Sequence, residues 1–133
     1  MQVIESTGVG MRQVEVSLAA PYELARVVRL FRGRPELWLE TVIAMACGQT
    51  YPYAVVVGPP RFIDHGAVAV EVSWRQRATG GSFTSFTGRV TVAPRNAQSV
   101  VTLLGSVEGG SAARDVDDLS AILRWVVRSA QSA

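Results

Sequence analysis

Three successive stretches in the second half of this chain alternate apolar and polar residues with a period of two, and a fourth repeats its apolar residues at helical spacing. Few architectures accept that order. In residues 67–77, Val68, Val70, Val72 and Trp74 share one face, while Ala69, Glu71, Ser73 and Arg75 share the other, as in a strand with one buried and one wet side. Residues 82–93 set Thr84, Phe86, Gly88, Val90 and Val92 against Phe83, Ser85, Thr87, Arg89 and Thr91. Residues 99–107 set Val101, Leu103, Gly105 and Val107 against Val100, Thr102, Leu104 and Ser106. Gly80-Gly81 and Pro94-Arg95-Asn96 supply turn chemistry between them, so the three runs predict an antiparallel meander. After Gly109-Gly110-Ser111, Asp115, Asp117 and Asp118 stand where a helix N-terminus favours negative charge. Val116, Leu119, Ile122, Leu123, Val126 and Val127 then form one apolar stripe, with Arg114, Arg124 and Arg128 left mainly for water. A sheet with one apolar face must bury it, and the only long element available is this final helix.

The first third of the chain reads differently. Residues 13–18 alternate as a strand, which stops at Ala19-Ala20-Pro21; proline suits the first turn of a helix, where its missing N–H has no partner to lose. A short amphipathic helix is expected from Pro21 to about Phe31, ended by Gly33. Pro35 opens a second helix reaching Ala46, with Gly48 as its breaker. The β-branched run Thr41-Val42-Ile43 also fits the start of a strand, because short apolar runs do not separate the two by period. Tyr53 to Val57 forms a further strand closed by Gly58-Pro59-Pro60, and Ile63-Asp64-His65-Gly66 marks a reversal.

Composition narrows the function classes. With 133 residues, 48% of them hydrophobic and 18% charged, the chain is expected to form one domain over residues 1–133 and is too apolar for disorder. No apolar run approaches the roughly 18 residues of a membrane span, and the opening Met1-Gln2-Val3-Ile4-Glu5 lacks a secretory pattern. A cytoplasmic protein without a transmembrane segment is the expectation. A single cysteine, Cys47, excludes an internal disulfide, and a single histidine, His65, leaves no zinc-spaced cluster; no metal and no cofactor are expected. All thirteen basic residues are arginine, which excludes Schiff-base catalysis and a Walker-type phosphate loop. A net charge of +2 spread along the chain is a poor footprint for nucleic acid, so no such partner is expected. Arg26, Arg29, Arg32 and Arg34 lie close together. Arg26 and Arg29 share a helix face, and a solvated stripe is the simplest reading.

The segment Val14-Glu15-Val16-Ser17-Leu18-Ala19-Ala20-Pro21-Tyr22-Glu23-Leu24, followed by Pro35-Glu36-Leu37-Trp38, resembles the opening of the START and polyketide-cyclase-like superfamily, SRPBCC. The order of elements from Gln13 to about Ser129 is similar to its helix-grip fold. Val70-Glu71-Val72-Ser73-Trp74 and Phe86-Thr87-Gly88-Arg89-Val90-Thr91-Val92-Ala93-Pro94 look like a small bacterial subgroup. The stretch between Trp38 and Tyr53 is short for that superfamily and leaves a reduced first hairpin. The resemblance implies an α+β fold: a curved antiparallel sheet wrapped around the long C-terminal helix, with two short helices after the first strand. It further implies an apolar pocket for a hydrophobic small molecule such as a lipid, sterol or polyketide. Its walls would be Val70, Val72, Trp74, Phe86, Val90 and Leu103 from the sheet and Leu119, Leu123 and Val126 from the helix, with Trp38 near the mouth. The same side chains would equally well fill a closed core.

Cyclase and aromatase members of that superfamily place polar side chains in the pocket, and few are available here. Glu71 and Arg75 alternate away from Val72 and Trp74. His65, beside Asp64, sits in a turn; Tyr22, Tyr51 and Tyr53 stand near element ends; Cys47 in an apolar stretch reads as an inert thiol. No nucleophile with an adjacent base is legible. Three readings remain: a carrier of a hydrophobic molecule, a cyclase- or aromatase-like enzyme, and an interaction module with a filled core, including a homodimer, that exposes Trp38, Phe83 and Trp125. For Trp125, on the edge of the stripe, the sheet rim is the expected place.

Overall fold

The alternating runs pair into a single antiparallel sheet. The computed structural model describes residues 2–6, 11–47, 53–76, 85–109 and 112–132. Its strands are β1 (Gln2–Ser6), β2 (Met11–Ala20), β3 (Tyr53–Val57), β4 (Arg61–Phe62), β5 (Val68–Gln76), β6 (Ser85–Arg95) and β7 (Gln98–Glu108); its α-helices are α1 (Leu24–Arg29), α2 (Pro35–Cys47) and α3 (Ala112–Ser129). The spatial order is β1-β2-β7-β6-β5-β3, with β4 also pairing β5. The turn at Gly80-Gly81 lies outside the described residues.

Register explains the core. Val16 lies opposite Leu103, Leu103 opposite Val90, and Val90 opposite Val70, so one row of aliphatic side chains crosses four strands. A parallel row runs Leu18, Val101, Val92, Val68. Helix α3 packs over β2 and β7 and also touches α2, which lies against β3, while α1 sits on β6. The stripe residues Leu119, Ile122, Leu123 and Val126 are buried under α3, each contributing about 1.5–3 kcal/mol of transfer free energy as an upper bound. Gly88 and Gly105 face one another in the next row, between Val72 and Val14; without β-carbons there, the two backbones approach closely on the inner face.

Three local features depart from the sequence reading. Helix α1 begins at Leu24 with Glu23 as its N-cap, not at Pro21. The Glu23 carbonyl accepts from the N–H groups of Arg26 and Val27, and the chain ahead of it is tied down by Ser99, whose hydroxyl donates to the Tyr22 carbonyl at 2.9 Å. Strand β1 pairs with β2, although its five residues carry no clean alternation. Strand β4 has only two residues. The β-branched run at 41–43 is helical, with the Thr41 hydroxyl donating back to the Leu37 carbonyl. Pro94 lies within β6 but beyond Val92, the last residue paired with β5, where a missing N–H removes no bond to that neighbour. Asn96 turns the hairpin at a φ of 58°, a conformation asparagine tolerates.

Ser99 is fully buried and holds the start of β7 to the α1 approach. Ser99→Ala strands the Tyr22 carbonyl and is expected to cost about 1–3 kcal/mol, read as a lowered urea midpoint at unchanged slope.

Candidate functional site

The inner face of β5, β6 and β7 and the facing side of α3 bring nine of the ten candidate wall residues together. Val70, Val72, Trp74, Phe86, Val90, Leu103, Leu119, Leu123 and Val126 are all buried in one continuous apolar cluster. Trp74 and Phe86, opposite one another across β5 and β6, stack with centroids 4.5 Å apart and planes 20° from parallel.

Trp38 occupies a packing position between the two short helices. Its indole N–H donates to the Leu30 carbonyl at 2.8 Å, and its ring meets Phe31 edge-on at 5.4 Å. It is half-buried and ties α2 to the end of α1. Trp125 is also half-buried, packed against the core, with the Arg128 guanidinium 5.1 Å over its ring. Phe83 and Tyr51 lie outside the described residues.

Polar groups divide by strand parity. Glu71 and Arg75 are exposed on the outer face, and Glu71 pairs with Arg61 at 2.8 Å, an exposed ion pair of small energetic weight. His65 is exposed in a single 3-10 turn at a φ of 62°. Three polar atoms are instead buried: the Tyr53 hydroxyl, the Trp74 indole nitrogen and a carboxylate oxygen of Asp118. Tyr53 leads β3 on the face it shares with Val55, which lies opposite Trp74, placing the two aromatic side chains on neighbouring diagonal positions. Sequence reasoning missed Asp118 by assigning it to the helix N-terminus. The available signal was its spacing, since positions 118, 122 and 126 form one i, i+4 row with Ile122 and Val126.

Two grooves border this layer. One, of about 330 Å³, lies between β2 and α3 and is lined by Ser17, Leu18, Asp117, Ser120, Leu123 and Arg124. The other, of about 210 Å³, runs between α1 and β4–β5 and ends at Val68. Among the described residues no cluster of three or more His, Cys, Asp or Glu side chains could hold a metal, and no helix is long and apolar enough to cross a membrane.

An antiparallel sheet closed over a C-terminal helix, with two short helices inserted after its second strand, is the helix-grip fold, and this chain is built on it. Solved structures share it. A STAR-related lipid transfer protein from Xanthomonas axonopodis superimposes with a TM-score of 0.64 at 14% identity, covering 97% of this chain and 91% of that one. A protein from Thermus thermophilus gives a TM-score of 0.54 at 12% identity, covering 90% and 97%. Ara h 8.0201 gives 0.52 at 9% identity, covering 93% and 100%. No family model and no curated protein sequence matches the chain.

Proposed function

We propose that this protein binds and carries a hydrophobic small molecule, of the lipid or polyketide kind, between its sheet and α3. The observation that carries this reading is the chemistry of that layer. Two strand-crossing rows of valine and leucine face an apolar helix stripe, and among the described residues the Tyr53 hydroxyl, the Trp74 indole nitrogen and a carboxylate oxygen of Asp118 are polar atoms buried in these elements. Sites for apolar molecules have this balance, with area removed from water supplying affinity and a few polar atoms fixing orientation. The solved relative from Xanthomonas axonopodis, named a lipid transfer protein, supports the same class of guest. The proposed walls are Val70, Val72, Trp74, Phe86, Val90, Leu103, Leu119, Leu123 and Val126.

Burial of Asp118 and Tyr53 also favours a second reading, a cyclase-like enzyme in which these two supply acid and base. That reading requires both side chains to face the guest; a complex in which the guest touches only carbon atoms would dismiss it.

Leu123→Trp separates a carrier from a filled core, because Leu123 is buried and also borders the groove beside β2. The wild type is expected to take up one equivalent of Nile red and to release it to a fatty acid. The variant should fold with a near-native urea midpoint and bind the dye at least ten-fold more weakly. A filled interior would instead show no uptake by the wild type and an overpacking loss of about 1–3 kcal/mol in the variant.

A further inference from the structure

The end of the molecule where α1 meets β4 carries features that the interior does not use. Phe62, in the two-residue strand β4, is 77% exposed. Its partner Val68 is buried and opens the inner row of β5. Between Phe62 and α1 runs the groove of about 210 Å³, walled by Leu24, Val28 and Val68 and rimmed by Arg29 and Arg32. Arg26 lies one turn before Arg29 and stacks over Tyr22 at 5.6 Å. Arg34 follows in the link to α2. All four arginines are exposed, and none forms an ion pair with a carboxylate among the described residues.

The carboxylates at this end form no ion pair with the rim arginines among the described residues. Glu71 is taken by Arg61, Glu23 borders a groove on the other side of α1 that Arg26 and Arg29 also line, Asp64 sits in the turn before β5 and Glu36 in the first turn of α2. No carboxylate lines the groove beside Phe62.

We propose that this end docks on an anionic lipid bilayer, with Phe62 entering the interfacial region and Arg29 and Arg32 engaging lipid phosphates. Aromatic rings favour the bilayer interface, guanidinium groups bind phosphate in bidentate fashion, and basic residues are drawn to anionic leaflets. An exposed ring beside an aliphatic groove suits acyl chains; a nucleic-acid backbone would use the arginines and leave the ring idle. The side chains placed on the bilayer, Phe62, Arg29 and Arg32, are exposed and none is among the proposed guest walls, so the docking reading stands or falls separately from guest binding inside.

Flotation with phosphatidylcholine vesicles, with and without phosphatidylserine, tests the proposal. The wild type is expected to float only with the phosphatidylserine-containing vesicles and to be released as salt rises. Arg29→Gln and Arg32→Gln should each lower the partition coefficient about five-fold, and Phe62→Ser about ten-fold. Arg89→Gln, on the outer face of β6, should change nothing, and all four variants should keep the wild-type Tm. Phe62→Ser should also keep wild-type Nile red uptake, which scores the interior independently. Equal flotation with both vesicle types, unchanged flotation of the Arg29 and Arg32 variants, or an arginine dependence seen for duplex DNA but not for vesicles would each overturn it.

Discussion

Gly105→Ala is expected to disrupt the sheet, at a cost of about 3–5 kcal/mol, in the range reserved for severe single substitutions. A β-carbon added at Gly105 would stand 2.7 Å from the Gly88 Cα and 2.7 Å from Phe86 Cζ. The phenyl ring could turn aside, but the facing strand backbone could not. Added at Gly88, the same carbon would stand 2.6 Å from the Gly105 Cα and 2.9 Å from the Leu104 carbonyl carbon, so neither glycine relieves the other. Only separation of β6 from β7 makes room. That breaks the ladder joining the two longest strands in the middle of the sheet and leaves buried backbone groups unpaired. Ordinary overpacking costs about 1–3 kcal/mol because side chains yield; backbone against backbone costs more. Gly33→Ala is the matched control, since nothing lies within 4 Å of its added carbon, and it should stay within about 0.5 kcal/mol of the wild type. Urea unfolding of the three proteins reads the difference. A Gly105→Ala midpoint equal to that of the wild type would show that β6 and β7 do not approach as described.

The same glycine pair marks the boundary of what the sequence discloses. Alternation alone placed Val70, Val90 and Leu103 on inner faces, because the side-chain period of a strand is two and a single slip would reverse every one of them. It could not show that Gly88 faces Gly105, because register across strands depends on where each hairpin turns; Asn96 at positive φ sets that for β6 and β7. The α3 stripe was legible through its 3.6-residue period, yet Asp118 was misplaced. Its charge suggested the helix terminus, and only tertiary packing decides that the row of Ile122 and Val126 continues through it. Trp38 shows what residue type alone does not convey: its indole N–H donates to the Leu30 carbonyl at the end of α1, a contact set by how the two short helices pack. Strand β1 had no period to read and forms by pairing along the edge of β2. For the candidate site, burial of the proposed wall residues was legible from alternation, whereas the burial of Tyr53, named in the sequence only as a residue near an element end, follows from its diagonal position beside Trp74.

Trp74→Ala is the substitution that joins stability to function, with an expected loss of about 3–5 kcal/mol. Trp74 is 2% exposed and its ring lies 4.5 Å from that of Phe86, a stacked contact worth about 0.5–1.5 kcal/mol beyond the area it buries. Phe86→Ala should cost nearly as much. A cycle built from the milder Trp74→Leu and Phe86→Leu should show losses that fail to add, the shortfall reporting the stack. The vacated indole volume then becomes a probe of the interior. A guest that binds only the folded protein raises its stability by about 2.7 kcal/mol when present at a hundred times its Kd. If the layer between sheet and α3 already admits a fatty acid, adding one should raise the Tm of both the wild type and Trp74→Ala, because the guest space precedes the substitution. If the native layer is solid, only Trp74→Ala should gain, by filling a hole made for it, as engineered apolar cavities take up small hydrocarbons. A gain confined to the variant would therefore refute the carrier reading even though ligand binding had been observed.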